Sequence, residues 1–221
     1  MEYQREELLA CAIARLIGDA RHVAVGAASP IPATACALLQ QQGLPLKVFL
    51  LQKRTGNPFT EGSRELFDLA GQGRIDVFFL GGAQIDGQGN INLVQAEGRR
   101  FPGSFGSAFM YQTVKNVILF REEHSRRVLV PKVEFVSAAG RPAALLTGKA
   151  LFGWDGGFVL RSFHPGESVA SIREATGFEF RLDRAVQETP APTANELAVL
   201  RGPVARKVAV DYPAFARKVW G

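Results

Sequence analysis

No aspartate or glutamate stands between Ala20 and Thr60, in a chain with 21 acidic residues in all. That stretch therefore offers no carboxylate for covalent or general acid–base chemistry. Cysteine is scarce too. Cys11 and Cys36 sit among alanines and leucines on predicted helices, with no cysteine or histidine near them at metal-ligand spacing, and read as small core residues. The three histidines, His22, His124 and His164, are scattered, so the pattern points to neither a zinc site nor a Cys/His nucleophile pair. Long apolar runs are missing as well. The opening MEYQREELLACAIARLIG carries Glu2, Arg5, Glu6, Glu7 and Arg15 through its apolar stretch, reads as neither a secretory signal nor a membrane span, and sets the expected address as cytoplasmic. With no Pro/Ser-rich linker and no composition break, 221 residues are expected to form one α/β domain over 1–185. Residues 186–221 are read as a C-terminal helix and tail, in the same domain or packed on a partner.

What the chain does have is an ordinary globular balance, 47% hydrophobic and 21% charged, with a formal charge of +5. That charge permits a phosphorylated partner. The basic pairs Lys53-Arg54, Arg99-Arg100 and Arg126-Arg127 lack interleaved aromatics, so no nucleic-acid surface is expected. From about Arg5 to Ile17, Leu9, Ile13 and Leu16 recur at i, i+4 and i+7, which predicts an amphipathic helix. A strand over His22 to Val25, a proline-started helix to about Gln42, a strand over Lys47 to Leu51, a helix from Ser63 to Gly71 and a strand over Ile75 to Leu80 follow at short intervals. That alternation predicts a parallel sheet with right-handed crossovers.

The most informative stretch is Ile75 to Asn92, IDVFFLGGAQIDGQGNIN. Val77 to Leu80 is an unbroken apolar run suited to a strand covered on both faces, and it empties into Gly81 and Gly82, which allow close backbone approach. Parallel sheets bind ligands at the carboxyl ends of their strands, and Gln84, Asp86 and Asn90 supply polar groups there. The same residues also read as a hairpin, with Asp86-Gly87 and Gly89-Asn90 turning between Ile85 and Ile91. Both readings can hold at once. Further on, RRFPGSFGSAF carries Gly103, Gly106 and Ser107 around Phe105, as a plain connection or as amides able to cradle an oxygen. Strands are expected over Val114 to Phe120, Val128 to Val130, Val133 to Val136 and Phe158 to Phe163, with an irregular excursion between Ala139 and Gly157. A helix from Ser168 to Thr176 is closed by Gly177, and a capping box, Thr193 to Glu196, opens another to about Arg201. Beyond it, ARKVAVDYPAFARKVWG has little periodicity, so its apolar side chains are expected to need another surface.

GGAQIDGQGNIN resembles the GGAQ(I/V)D-x-x-GN(V/I)N segment of the B subunits of family I CoA-transferases, of the glutaconate CoA-transferase type. The likeness runs from the first helix to about Leu182 and includes HPGESVASIREATGFEF, similar to the PG-x-(S/T)-x-x-x-(I/V)-x-x-x-TGF ending of those subunits. The resemblance implies a three-layer α/β/α fold with an open, mostly parallel sheet. It further implies an A-type partner subunit in a heterodimer or heterotetramer, and an acyl-CoA thioester as substrate, with no bound cofactor, metal, nucleic acid or membrane. It assigns acyl-CoA binding to Gly81, Gly82, Ala83, Gln84, Asp86, Gly89, Asn90, Gly103, Ser104, Gly106 and Ser107. The resemblance fails at one chemical point. In those subunits a glutamate nucleophile follows the second strand, whereas here LKVFLL is followed by Gln52-Lys53-Arg54-Thr55-Gly56, and an amide cannot form the acyl intermediate. Glu61, the nearest acid, stands at the foot of the next helix, and Glu167 reads as a helix N-terminal charge rather than a nucleophile. Three outcomes remain open: a CoA-transferase-like subunit, a hydrolase or ring-opening C–C hydrolase whose acid lies on the A-type partner, and a non-catalytic subunit that binds a CoA ester.

Overall fold

The computed structural model describes residues 2–53, 59, 61–101, 103 and 105–221. In chain order the elements begin with α1 (Arg5–Ile17), β1 (His22–Val25), α2 (Pro30–Gln41), β2 (Lys47–Leu50), α3 (Ser63–Gly71) and β3 (Val77–Leu80). Short strands follow: β4 (Gln84–Asp86), β5 (Ile91–Asn92), β6 (Gln95–Ala96) and β7 (Arg99–Arg100). Then come α4 (Ser107–Thr113), β8 (Asn116–Arg121), β9 (Leu129–Val130), β10 (Ala144–Thr147), β11 (Ala150–Trp154), β12 (Phe158–Phe163), α5 (Val169–Ala175) and β13 (Arg181–Glu188). The chain ends in α6 (Ala194–Val199), a π turn over Leu200–Val204, α7 (Ala205–Asp211) and α8 (Pro213–Trp220). The elements group into two compact units. The first holds the chain up to Leu66 together with Arg74–Val77 and Pro190–Gly221, and the second holds Phe67–Gly73 and Phe78–Thr189.

In the first unit, β1 and β2 pair in parallel from His22↔Lys47 to Val25↔Leu50. Leu9 and Ile13 of α1 are fully buried, as their spacing predicts. The C-terminal segment departs from expectation. Leu197, Leu200, Val204, Val208, Tyr212, Ala216 and Val219 are all buried at intervals of three or four, and α6, the π turn and α7 pack on α2. Gly202-Pro203 and Pro213 read as breakers in the sequence, but the π turn accommodates Pro203 and Pro213 opens α8, so one apolar stripe survives. Polar ties fix it. Glu7, fully buried, accepts hydrogen bonds from Arg201 Nε and Nη2, both at 2.8 Å, and from Trp220 Nε1 at 3.1 Å, while Lys218 reaches Glu6 at 2.8 Å.

In the second unit the strands run in the order β13-β12-β11-β10-β8-β3. β8 and β10 pair in parallel, β10–β11 and β11–β12 antiparallel, and β12–β13 in parallel again. The mixed α/β fold with helix-flanked strands is the expected class. Three local expectations are corrected. Val133 to Val136 forms no strand, because its segment instead donates backbone N–H groups from Val133 and Glu134 to the side chains of Asp86 and Gln84. The stretch read as an irregular excursion contains β10 and β11, two buried strands whose alanines, leucines and glycines mask their β character; Thr147 Oγ1 accepts N–H groups from Lys149 and Ala150 and closes the turn between them. β13 was not expected at all, since RLDRAVQE is charged and largely exposed as an edge strand should be. Gly177 serves a purpose other than a left-handed cap: its N–H donates to Leu129 O at 2.7 Å, and a Cβ there would run into that carbonyl.

Candidate functional site

β3 is buried along its whole length and ends in the Gly81-Gly82 turn, as the apolar run predicts. A Cβ on Gly81 would stand 3.1 Å from the Phe120 carbonyl oxygen, and one on Gly82 would stand 2.8 Å from Gln84 O. The protein's own backbone therefore opposes a side chain at Gly82 and crowds one at Gly81, before any ligand is considered. Ala83 donates its N–H to Asn92 O at 2.8 Å, and β4 and β5 pair antiparallel as Gln84↔Asn92 and Ile85↔Ile91. The hairpin and the glycine turn are thus one structure.

Gln84, Asp86 and Asn92 of this hairpin are buried. Asp86, 2% exposed, accepts N–H groups from Gln88 at 3.0 Å, Asn90 at 3.1 Å and Val133 at 3.3 Å, and the Asn90 amide at 3.1 Å. Gln84 accepts from Asn92 Nδ2 and Glu134 N and donates to Glu134 Oε1 at 2.8 Å. Both side chains brace the loop, so their contribution to any ligand is to hold Gly81, Gly82 and Ala83 in place. Gly89 lies at φ +76°, with Tyr111 Oη donating to its carbonyl at 2.9 Å, and a Cβ there would stand 3.0 Å from Gly140 O. Burial raises the Tyr111 phenol pKa well above its ordinary value, with the Asp86 charge adding to the shift, so Tyr111 stays a neutral donor.

The second glycine segment is built differently. Gly103 has φ +100° and Gly106 φ +68°, the latter as the residue before α4, and a Cβ on Gly106 would run into the Phe67 ring. Phe105, at φ +27° and 75% exposed, packs its ring 6.1 Å from Phe67, which meets Phe109 edge-on at 5.7 Å. Ser107 opens α4, while Ser104 lies outside the described residues. In the other unit, Gln52 is half-buried in the turn after β2. Arg54, Thr55 and Gly56 lie outside the described residues. Glu61 pairs with Arg64 at 3.2 Å and Glu167 with Lys149 at 3.2 Å, helix-start charges in both cases.

Two features escaped the sequence reading. Two of the three histidines, far apart in sequence, share Thr147 in the second unit: His124 Nδ1 lies 2.7 Å from Thr147 Oγ1, and His164 Nε2 donates to Thr147 O at 2.9 Å. Burial, with the Lys149 charge behind it, pushes the His124 pKa down to about 4, so the ring is neutral at pH 7. The other feature is Arg121, the last residue of β8. Its Nε is buried without a hydrogen-bond partner among the described residues, and Nη2 stands 3.9 Å from Glu123. The visible signal was a cation closing the apolar run VILF at a strand's carboxyl end.

Residues 47–148 match the family model described as Coenzyme A transferase. Among curated proteins, the B subunit of 3-oxoadipate CoA-transferase from Pseudomonas knackmussii is 29% identical over 94% of this chain and 95% of its own length. The B subunit of glutaconate CoA-transferase from Acidaminococcus fermentans is 28% identical over 55% of this chain and 54% of its own. Among solved structures, the decarboxylase AibA/AibB is 30% identical with a TM-score of 0.83, covering 90% of this chain and 94% of that one.

Proposed function

We propose, for a chain that belongs by fold to the family I CoA-transferases, B-subunit type, that it is one half of a two-chain enzyme acting on an acyl-CoA thioester. The observation that carries this reading is the Gly81 to Asn92 hairpin, fixed at the carboxyl end of a fully buried strand by Asp86, Gln84 and Tyr111. A rigid, glycine-lined turn is what a thioester carbonyl needs beside it, because preorganised backbone donors stabilise an oxyanion without reorganising. Gly103, Gly106 and Ser107 extend the same reading along the second glycine segment. The partner is an A-type subunit, in keeping with relatives that are themselves B subunits of CoA-transferases and with the two-part name AibA/AibB.

A second reading concerns the reaction. Gln52 is the residue nearest the slot where the resemblance places a glutamate nucleophile, so chemistry through a glutamyl thioester on this chain is disfavoured. That favours a reaction whose acid or base sits on the partner, and the 30% identity to a protein named as a decarboxylase is consistent with it. The test is to express the chain with and without an A-type subunit and follow consumption of a panel of acyl-CoA thioesters. Turnover by the pair and not by either chain alone is expected; full turnover by this chain as a monomer refutes the reading.

A further inference from the structure

We propose that Arg121 reads an anionic oxygen group of the substrate, either a carboxylate at the far end of the acyl chain or a phosphate of the coenzyme. The assignment rests on the acyl-CoA reading above and adds a residue that neither composition nor motif singles out.

Arg121 closes β8, whose Val117, Ile118 and Leu119 are buried, and it pairs in register with Thr147 at the end of parallel β10. The carbonyl that Gly81 packs against belongs to Phe120, the preceding residue. The guanidinium therefore starts from the same carboxyl edge as the glycine turn, where parallel strands of this kind present ligands. Its hydrogen-bonding state is the second observation. Nε is buried with no acceptor among the described residues, although the side chain as a whole is 40% exposed. The acid it pairs with does not fill the gap. Glu123 stands 3.9 Å from Nη2, beyond hydrogen-bond reach. Its carboxylate is already engaged by Arg127 through Nε at 3.2 Å and Nη2 at 2.5 Å, and by Ser125 Oγ at 2.7 Å. A buried donor on a permanent cation without an acceptor is unfavourable. A guanidinium supplies a planar fork matched to carboxylate or phosphate, and an anion that reached this fork would give the unpaired Nε its acceptor.

The experiment measures the affinity of the full chain, in complex with its partner subunit, for three probes: pentanoyl-CoA, glutaryl-CoA, and pentanoyl-CoA lacking the 3′-phosphate. Wild type, Arg121→Gln and Arg121→Lys are compared by calorimetry. If the anion is the acyl carboxylate, Arg121→Gln loses roughly 10- to 100-fold in affinity for glutaryl-CoA and leaves pentanoyl-CoA unchanged. If it is the coenzyme phosphate, the variant weakens pentanoyl-CoA and glutaryl-CoA alike and erases the difference made by the 3′-phosphate. In either case Arg121→Lys retains part of the affinity, since it keeps the charge and loses the fork. An Arg121→Gln protein that binds all three esters as wild type does overturns the assignment. Failure of the wild-type complex to bind pentanoyl-CoA at all overturns the acyl-CoA reading and the assignment with it, so the two failures are told apart by that single arm.

Discussion

Acidification should destabilise this protein through His124, and the size of the effect follows from its surroundings. The imidazole is buried, with Nδ1 at 2.7 Å from Thr147 Oγ1 and Nε2 at 3.0 Å from Thr176 Oγ1. Thr176 Oγ1 also donates to Ile172 O at 2.7 Å and Thr147 Oγ1 to Ala150 O at 3.1 Å, so both hydroxyls are engaged beyond the ring. Burial and the Lys149 charge hold the folded pKa near 4 against an ordinary 6.5, while Glu167 pulls weakly the other way. A folded pKa below the unfolded one means that the unfolded chain binds the extra proton first. Stability from this group is therefore complete above pH 6.5 and is lost progressively as pH falls from 6.5 toward 4. At about 1.4 kcal/mol per pH unit, the loss is about 3 kcal/mol. The assay is thermal unfolding of wild type and His124→Gln between pH 7.5 and 4.5. Glutamine keeps a donor and an acceptor for the two threonines and does not titrate. At neutral pH the variant should be the less stable, having lost the ring's stacking on Phe152. On acidification the gap should narrow by roughly 6–12 °C, at about 2–4 °C per kcal/mol for a chain of this size. A gap that stays constant with pH would refute the reasoning.

Glu7→Ala should lower stability, because it removes the buried carboxylate that holds Arg201 Nε, Arg201 Nη2 and Trp220 Nε1, and denaturant melts would measure it. Burial raises the Glu7 pKa, but hydrogen bonds from Arg201, the Gln4 backbone and Trp220 outweigh that and hold it below its ordinary value; this stability is present above about pH 4.5 and is lost as pH falls below it. Gly106→Ala should lower stability by at least about 1 kcal/mol, since φ +68° and the Phe67 ring both oppose a side chain. Gly82→Ala should lower stability and acyl-CoA binding together, as expected of a glycine held by the hairpin itself, and a binding defect without a stability defect would count against that. Gln52→Glu should permit some covalent trapping with acyl-CoA and borohydride, read by mass spectrometry of the 47–56 peptide.

The parts of the fold legible in the sequence were those in which local pattern and burial agree. Val77 to Leu80 could be placed because a short apolar run that stops at a glycine pair suits a strand covered on both faces, and Leu9 and Ile13 because their spacing matches a helix. β13 was hidden because an exposed edge strand carries no apolar alternation, and the C-terminal stripe because Gly202, Pro203 and Pro213 interrupt it in print but not in space. The candidate site divides in the same way. The glycines were visible as glycines. That Gln84 and Asp86 turn inward depends on Glu134 and Val133, which reach them across 50 and 47 positions of chain, and that Arg121 Nε has no hydrogen-bond partner among the described residues is likewise seen only once the chain is folded. Such facts belong to tertiary structure, and no periodicity encodes them.

This chain, as proposed above, serves acyl-CoA chemistry without supplying a glutamyl nucleophile from the slot nearest Gln52. The measurement that tests it most directly is to incubate the complex of this chain with its A-type partner with a turned-over acyl-CoA and borohydride, and then map modified carboxylates on both chains. Consumption of the thioester with every peptide of this chain unmodified is the expected outcome. A reduced glutamyl adduct on this chain, at Glu61 or any other native acid, would contradict it.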